Sequence, residues 1–349
     1  MELTLLLPKY WSEAGKRVQT HSQIIEKEGF LIISAPILFE GRIKRHFYPF
    51  FNHYIRQVQP DLIHIEEEPY SLAAWQAARA ARQLGVPLVF FTWENLLEKF
   101  SFPHQTIRKF VLQTAAHAIA GDREAGQLLE NAGLSRSKIS NIPQYGVNPK
   151  LFKKRNMRKL KNELHLGNFT VGYVGRLIPE KGISDLIQAF VNLKMKKATL
   201  LIVGNGPFKE KLEAQVKESG IFSQVRWIKA VDQSLIPSYL NCMDVLVLPS
   251  ITTPTWKEQF GRVLIEAQAC EVTVVGSDSG AIPEVIGKAG LIYPEGNISQ
   301  LAKKLKMLAN APNIRKSLGR KGRKQVLRLF TNQKLSDKIY DIYRRLLKK

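Results

Sequence analysis

Short apolar runs of strand length alternate with segments of helix length from one end of the chain to the other. This alternation is typical of parallel sheets whose strands are joined by crossover helices. The pattern therefore predicts an α/β protein with two sets of strands, one on each side of residue 150. They are 3–7, 30–34, 62–65, 88–91 and 117–120, then 170–174, 199–203, 225–228, 245–248, 272–275 and 290–292.

The segment between the two sets has the composition of a linker. Residues 141–149 are rich in turn formers, and residues 153–161 are strongly basic, so we place the boundary near 143–165. This predicts domains over residues 1–150 and 151–330. Helical patterns follow over 300–310 and from 313 to about 348, and the last helix, 331–349, could pack back on the first domain.

Length and composition permit two separate cores. The 349 residues are 44% hydrophobic, which is normal for globular protein. The two cysteines, Cys242 and Cys270, lie far apart in apolar stretches, so we expect no disulfide framework and a reducing, cytoplasmic setting. The apolar run at the N-terminus stops at Pro8 and predicts a strand, and no run approaches the ~18 apolar residues of a membrane span.

The net charge of +22 is unevenly distributed. Residues 300–349 hold 16 basic and 2 acidic groups, whereas residues 166–299 hold 13 of each. Such a field attracts polyanions, whether an anionic membrane surface at the inner face of the cell membrane or nucleic acid. A solvated basic helix face that keeps the protein soluble is the alternative interpretation.

The strongest local feature is a strand followed by two cations. The strand over 170–174 ends at Gly175, and the next loop carries Arg176 and Lys181. Ligands of open α/β sheets bind beyond the carboxyl ends of the strands, so both cations would project into the crevice. An Arg fork and a Lys point charge together suit a diphosphate. The alternative is a surface Arg beside a lysine at a helix start.

The next strand ends in a second glycine turn. Gly204, Asn205 and Gly206 follow it directly, and glycines allow backbone to approach a ligand closely. This turn is informative because of its position: it follows a strand of the same predicted sheet as the strand that ends at Gly175.

Two acids flank the start of a later apolar helix. Gly261 opens this helix, whose first amides can meet a phosphate. Glu258 and Glu266 lie eight residues apart, so on one helix they would share a face. If Glu258 instead lies in the preceding loop, it would reach a sugar while Glu266 reaches a ribose. Without a ligand, the pair would simply favour the helix dipole.

Together these segments resemble the retaining glycosyltransferases of family 4, also called glycosyl transferases group 1, which have the GT-B fold. The resemblance covers almost the whole chain and is most specific over residues 170–286, where it also includes 244–250 and 276–284. It implies two Rossmann-like domains with parallel sheets facing across a cleft. The first would bind the acceptor and the second the nucleotide sugar.

The resemblance also implies roles for single residues. Arg176 and Lys181 would bind the donor diphosphate and stabilise the leaving group, Glu258 would hold the transferred sugar, and Glu266 would bind the ribose hydroxyls. Fixed cations can stabilise the charge that grows on the departing diphosphate, so neither a metal nor another cofactor is expected. The other expected donor-binding residues are Gly15, Gly175, Gly204, Asn205, Gly206, Phe260, Gly261 and Arg262.

The N-terminal half matches the family less well. An acidic segment before Pro69 ends in Glu68, and Trp93 stands where many members have a histidine. Glu68, Trp93 and Glu94 are therefore candidates for the acceptor side, although an aromatic packed at a domain interface is an equal interpretation of Trp93. No general base is evident, which is compatible with a retaining route in which the leaving phosphate takes the acceptor proton.

Residues 41–51 mix cations with aromatic rings ahead of a predicted helix. This combination suits peripheral contact with an anionic membrane, which would imply a lipid-linked acceptor. The rings could equally form the buried face of that helix. Cations beside rings also suit nucleic acid, but no RNA-binding motif is evident and we expect no nucleic-acid partner.

The sequence thus predicts a hexosyltransferase that moves a sugar from a nucleotide-diphosphate sugar to an acceptor hydroxyl with retention. Polysaccharide, glycolipid or cell-envelope glycan synthesis is its expected setting. A sugar-nucleotide epimerase, a phosphorylase or a non-catalytic basic binding protein of the same fold are the rival hypotheses. The base, the sugar and the acceptor are not evident from the sequence.

Overall fold

The structure of the protein, a computed structural model, describes residues 2–13, 16–25, 29–96 and 100–348. Gly15, which the resemblance names as a donor-binding residue, lies outside the described residues. Contacts divide the chain into two compact units, one of Met1–Ile142 with Ile339–Lys349 and one of Pro143–Lys338.

The first unit contains two larger sheets. In the first, β1 pairs in parallel with β5, and β4 pairs with β5 in the antiparallel direction. The second is parallel, in the order β6-β7-β8-β9. The strands and helices of this unit are β1 (Leu3–Pro8), β2 (Tyr10–Glu13), β3 (Lys16–Gln19), β4 (Gln23–Ile25), β5 (Phe30–Ala35), α1 (Phe51–Val58), β6 (Ile63–Ile65), α2 (Leu72–Leu84), β7 (Leu88–Thr92), α3 (Phe102–Thr114), β8 (Ala115–Ala120), α4 (Arg123–Asn131) and β9 (Ile139–Asn141).

Alanine-rich packing builds the core beside the parallel sheet. Helix α2 begins after Ser71, whose hydroxyl accepts a hydrogen bond from the Ala74 amide at 3.0 Å, and ends at Gly85 in the left-handed conformation. Its alanines let it approach the sheet closely, and its fully buried positions are Ala73, Ala74, Ala77, Ala78, Ala80 and Ala81.

The antiparallel strands of the first unit were not evident from the sequence. Strands β2 and β3 form a separate antiparallel pair directly after β1. They carry mixed polar and apolar residues such as Trp11, Ser12 and Arg17, so they lack the continuous apolar run that marks a strand buried on both faces.

The second unit is built on one parallel sheet of six strands, in the order β12-β11-β10-β13-β14-β15. Its inner strands are buried on both faces, which explains why their apolar runs stand out in the sequence. Its elements are α5 (Arg158–Glu163), β10 (Phe169–Val174), α6 (Ile183–Asn192), β11 (Ala198–Val203), α7 (Lys209–Glu218), β12 (Val225–Ile228), α8 (Ile236–Leu240), β13 (Val245–Leu248), α9 (Arg262–Ala269), β14 (Thr273–Ser277), α10 (Ile282–Ile286), β15 (Gly290–Tyr293), α11 (Ile298–Asn310) and α12 (Pro312–Leu329), followed by α13 (Asn332–Leu347).

The basic C-terminal segment forms two helices, not one continuous pattern from residue 313 to 348. Helix α12 ends before Phe330 and Thr331, and the Thr331 hydroxyl accepts from the Lys334 amide at 3.2 Å as α13 begins. The Phe330 carbonyl accepts from the Val147 amide at 2.8 Å. This pairing joins Val147 to the second unit, which begins at Pro143, the first residue of the expected boundary region over 143–165.

Helix α13 runs from one unit into the other, with the unit boundary after Lys338. Within the first unit, Nδ1 of His64 hydrogen-bonds the Tyr343 hydroxyl, and the Arg345 guanidinium donates to Nδ1 of His117 at 3.4 Å. These contacts attach residues 339–347 to strands β6 and β8.

Candidate functional site in the second unit

The strand order of the second unit creates a switch point between β10 and β13. Counted within the unit, the order is 3-2-1-4-5-6, so the chain winds outward in opposite directions from these two neighbouring strands. In such sheets a crevice opens beyond the carboxyl ends of the strands at the switch point, and ligands bind there. Gly175 and Arg176 follow β10, while Ser250 lies two residues beyond β13.

The two glycine turns pack against each other, backbone to backbone. The Leu177 amide donates to the Asn205 carbonyl at 2.9 Å. A Cβ atom on Gly204 would lie 1.9 Å from the carbonyl oxygen of Gly175, so a side chain there cannot be accommodated. Because of this close approach, the turns after β10 and β11 form one continuous surface, which is the floor of the crevice.

A cleft of about 380 Å³ lies above this floor. It is lined by the ends of β10, β11 and β13 and by the start of α9. The expected donor residues that line it are Gly175, Arg176, Lys181, Gly204, Asn205, Glu258, Gly261, Arg262 and Glu266.

Lys181 and Glu258 form a buried ion pair in the cleft. The Lys181 ammonium lies 2.6 Å from Oε2 of Glu258, and the two side chains are 15% and 8% exposed. The Ser250 hydroxyl donates to the same oxygen at 2.7 Å, and the ring of Trp256 lies 4.8 Å from the ammonium. Lys181 is the last residue of a single 3-10 turn, Pro179–Lys181, and α6 begins only at Ile183.

Glu258 lies in the loop before α9, so of the two placements that the spacing allowed the loop placement is the one observed. The Ala281 amide donates to the Glu258 carbonyl at 3.0 Å. The Ser277 hydroxyl donates to the Ser250 carbonyl at 2.6 Å. Residues 276–284 thus hold the backbone of Glu258 and the backbone of Ser250, whose side chains are hydrogen-bonded to each other.

Glu266 is buried on the first turns of α9. Arg262 Nε lies 3.1 Å from Oε1 of Glu266, and the Gln233 amide donates to the same oxygen at 2.6 Å. Burial raises the pKa of Glu266, while Arg262 and the Gln233 hydrogen bond work against that rise. The carboxylate is thus held in a fixed orientation beside the cleft, where it can accept from hydroxyl groups.

The start of α9 presents backbone to the cleft. Gly261 precedes the helix with φ of +74°, a left-handed conformation that favours glycine, and a Cβ there would lie 2.6 Å from Leu248. The first amides of a helix have no acceptor within the helix, so those beside Gly261 and Arg262 are suited to an anion. Phe260 does not line the cleft; it is buried, and its ring packs against Phe330.

Sequence reasoning missed four residues of this site. The Tyr173 hydroxyl donates to the Arg176 carbonyl at 2.8 Å and holds the loop, and burial raises its pKa. Gln233 orients Glu266, while Ser250 and Trp256 contact the Lys181 pair. Ser250 lies in a segment that resembles the family, but Gln233 and Trp256 lie in loops without any pattern that could mark them.

The acceptor-side candidates in the first unit

Glu68 joins the loop after β6 to the end of β7. The Thr92 hydroxyl donates to one of its carboxylate oxygens, and the Trp93 amide donates to the other at 2.9 Å. Burial raises the pKa of Glu68 to about 7, although these two hydrogen bonds lower it. Glu68 therefore holds backbone in place at the strand end.

Trp93 and Glu94 follow β7 directly and are packed within the first unit. The Trp93 ring lies against the backbone of Gly121, where a Cβ would approach it to 2.1 Å, and it makes an edge contact with Phe91. Arg108 lies 3.2 Å from Oε2 of Glu94. The structure thus places Glu68, Trp93 and Glu94 together at the carboxyl end of one strand.

The basic and aromatic segment over 41–51 divides between core and surface. His46, Tyr48 and Phe51 are buried, whereas Ile43 is 53% and Phe50 is 59% exposed. His46 lies 3.0 Å from Glu67, and although burial lowers its pKa, the hydrogen bond and charge of Glu67 outweigh burial and raise it. The burial of His46, Tyr48 and Phe51 confirms the core interpretation for these residues, whereas membrane contact by the exposed residues stays a prediction.

Similarity to known proteins

The fold of the chain is that of a known class. HepE of Anabaena, solved in complex with UDP, superposes with a TM-score of 0.77 over 92% of this chain and 88% of its own, at 21% identity. A glycosyltransferase from Rickettsia africae also reaches 0.77, over 93% of this chain and 87% of its own, at 20% identity. The expected fold class is confirmed: the protein has the GT-B fold, with two Rossmann-like units.

Residues 155–325 match the family model of the glycosyl transferases group 1. The matched residues include the cleft, so this part of the second unit is similar to the domains of that family. Membership of family 4 and retention of configuration stay predictions.

Curated relatives carry names of sugar-transferring proteins. The capsular polysaccharide biosynthesis glycosyltransferase CapM of Staphylococcus aureus is 35% identical over 190 residues, which are 52% of this chain and 47% of CapM. The 2-deoxystreptamine glucosyltransferase of Streptomyces kanamyceticus is 26% identical over 72% of this chain and 68% of its own. The match to CapM thus spans about half the length of that relative.

No helix in the part of the chain that the structure describes is long and apolar enough to cross a membrane. Cys242 and Cys270 are both buried and unpaired.

Proposed function

We propose that this protein is a glycosyltransferase that transfers a sugar from a nucleoside-diphosphate sugar to an acceptor hydroxyl, with retention and without a metal ion. The observation that carries the proposal is the cleft at the switch point of the second sheet. It combines Arg176 and Lys181 with two buried acids, Glu258 and Glu266. The similarity of this part of the chain to the group 1 domains supports the same reaction class.

Each part of the cleft suits one part of such a donor. Two cations and the start of α9 favour the diphosphate, on which negative charge grows as the glycosidic bond breaks. Glu266, held by Arg262 and Gln233, suits the ribose hydroxyls. Glu258 suits the sugar, because hydroxyl groups donate well to a carboxylate.

A donor that binds in this cleft meets an ion pair that is already formed, Lys181–Glu258. A carboxylate already neutralises Lys181 at 2.6 Å, so the incoming diphosphate must share this ammonium with Glu258. A pair of this kind holds the lysine at the edge of the cleft and the Glu258 side chain beside the sugar position. Arg176 is exposed and can turn towards the phosphates.

The first prediction concerns these two cations. Arg176→Ala and Lys181→Ala should each lower turnover by about 10²- to 10³-fold, the usual effect of removing one stabiliser of a developing anion. Initial rates of nucleoside diphosphate release measure turnover. Thermal shifts with a panel of UDP, GDP and ADP measure nucleotide binding. Arg158→Ala and Lys211→Ala are matched controls, since both residues are exposed in the same unit and lie outside the cleft.

Normal turnover in both cleft variants would contradict the proposal, as would a wild-type protein that no nucleotide stabilises. The latter result is what a non-catalytic protein of this fold would give. A sugar-nucleotide epimerase would convert the donor without an acceptor, whereas a transferase releases nucleoside diphosphate when the acceptor is added.

The setting that we propose is polysaccharide, glycolipid or cell-envelope glycan synthesis in the cytoplasm. CapM, by its name, acts in capsular polysaccharide biosynthesis, and this supports the setting. The acceptor would bind the first unit, where Glu68, Trp93 and Glu94 lie together. Products from a panel of glycan and lipid-linked acceptors, with the anomeric configuration read by NMR, test both the acceptor class and retention.

Peripheral contact with an anionic membrane surface is also part of the proposal, because a lipid-linked acceptor lies at a bilayer. Ile43 and Phe50 are exposed beside Arg42 and Arg45, a combination that suits a membrane interface. Flotation of the wild-type protein with vesicles containing phosphatidylglycerol tests this contact. A protein that stays at the bottom of the gradient at low salt would contradict it.

A further inference from the structure

Helix α12 (Pro312–Leu329) has an unusual charge pattern. It carries seven basic residues and no acidic residue along 18 positions. Two of the seven serve the fold. Arg315 donates to the Ala309 carbonyl at 3.1 Å and lies 3.5 Å from Asp244, and Arg323 donates to the Phe152 carbonyl at 2.7 Å.

The other five form what we call the α12 cationic face: Lys316, Arg320, Lys321, Lys324 and Arg328. All five are exposed, and none pairs with a carboxylate in the described part of the chain. With 3.6 residues per turn they lie within an arc of about 140° and span about 18 Å along the axis. Five like charges on one side of one helix repel one another and favour a polyanion opposite them.

The opposite side of α12 is fixed to the second unit. Gly319, Gly322 and Val326 are buried, and a Cβ on Gly319 would lie 2.1 Å from the Glu271 carbonyl. Close backbone packing of this kind prevents the helix from rotating. The cationic face is therefore held outward in one orientation.

Two recesses are lined in part by these cations. One of about 560 Å³ lies on the helix itself and is lined by Lys316, Arg320, Lys321 and Lys324 with Asn313 and Ser317. A second, of about 550 Å³, shares Lys316 and extends beyond the helix to Arg155, Arg158 and Lys161, and the carboxylates of Asp244 and Glu271 also line it. None of these residues lines the donor cleft.

We propose that the α12 cationic face is a docking surface for an anionic lipid leaflet. The inference rests on the membrane contact proposed above but not on the transfer reaction. Cations spaced along one outward side of a helix match a layer of phosphate headgroups. The only large apolar side chains on its exposed part, Ile314 and Leu327, are 45% and 42% exposed and suit the headgroup region.

Nucleic acid fits this surface less well. Proteins that hold single strands combine cations with aromatic rings on which bases stack, and α12 has no aromatic residue. A membrane needs no such platform, because each cation near an anionic leaflet adds its own attraction.

The test uses vesicle flotation to compare two triple variants of equal net charge and a third that keeps every charge. Lys316→Gln/Arg320→Gln/Lys324→Gln removes one row of the face and should weaken partitioning to phosphatidylglycerol vesicles by about 100-fold, roughly five-fold for each cation. Lys196→Gln/Lys211→Gln/Lys217→Gln removes three exposed lysines elsewhere in the same unit and should leave it unchanged. Lys316→Arg/Arg320→Lys/Lys324→Arg keeps the charges and should bind as the wild type does.

The outcomes separate this inference from the proposals on which it rests. Equal losses in the α12 and control variants would overturn it, because net charge alone would then account for binding. If the wild type floats with the vesicles and the α12 variant floats equally well, the inference is also overturned. Membrane contact itself would then still stand. Tighter, α12-dependent binding of an RNA or DNA oligonucleotide without any vesicle binding would assign the surface to nucleic acid instead. Nucleotide-sugar turnover on a soluble acceptor should be equal in all variants, since none touches the cleft.

Discussion

At the scale of single residues, the cleft shows how the surroundings of a side chain decide its role. Glu258 and Glu266 are the same residue type, yet one neutralises a lysine and the other is held by an arginine and a glutamine. The residue types and their spacing already indicated diphosphate, sugar and ribose contacts. They could not show Gln233 or Trp256, because loop residues carry no periodicity that reports their partners.

Glu68 gives a prediction at this scale. Its pKa of about 7 lies above the ordinary value of 4.5, so between these pH values the folded protein binds a proton that the unfolded chain has lost. The contribution of Glu68 to stability therefore falls as the pH rises from about 4.5 to 7. Glu68→Gln should remove this fall, which is at most about 3 kcal/mol.

Urea unfolding of the wild type and Glu68→Gln at pH 5 and pH 7.5 measures this difference. The variant should gain stability relative to the wild type at the higher pH. A constant difference between the two proteins would show that the Glu68 carboxyl titrates as it does in the unfolded chain.

At the scale of elements, the buried parallel strands were predicted within one or two residues at most ends, and the surface strands were not. Strands β11 and β13 are buried on both faces, so their apolar runs are continuous. Strands β2 and β3 pair only with each other and carry no such run. The helical pattern from 313 to about 348 did not show the break between α12 and α13, although the last helix was placed at 331–349; at the break the backbone pairs with Val147, which is distant in sequence.

The end of α13 gives a prediction at the scale of elements. Burial, aided by the charge of Arg345, lowers the pKa of His117 to about 4 from 6.5. The folded protein thus binds fewer protons than the unfolded chain between these pH values, and stability is lost as the pH falls from 6.5 towards 4. His117→Gln should reduce the loss between pH 7 and pH 5 by about 2 kcal/mol.

Thermal unfolding at the two pH values, with His53→Gln as a control, checks this expectation. His53 is exposed on α1, so its variant should lose as much stability as the wild type. His64 is a less direct choice, because Glu66 lies 3.4 Å from its Nε2 atom. An unchanged acid sensitivity in His117→Gln would mean that the Arg345 contact does not depend on a neutral imidazole.

At the scale of the whole molecule, we propose that the reaction proceeds without a metal ion. Arg176 and Lys181 supply positive charge where the diphosphate would lie. We therefore expect initial rates with EDTA to stay within about two-fold of those without it, because two fixed cations stabilise the leaving group electrostatically. Loss of turnover in EDTA that Mg²⁺ restores would contradict this prediction.

The sequence by itself determined the α/β class, the division into two sets of strands and most of the residues that line the cleft, because these depend on local patterns. Buried strands must be apolar, and phosphate-binding turns must contain glycine and cations. Only the tertiary structure decided which groups meet: Lys181 with Glu258, Glu266 with Gln233, Glu68 with the end of β7, and one outward cationic side of α12. Such contacts join residues far apart in the chain, and their geometry follows from packing that no local pattern encodes.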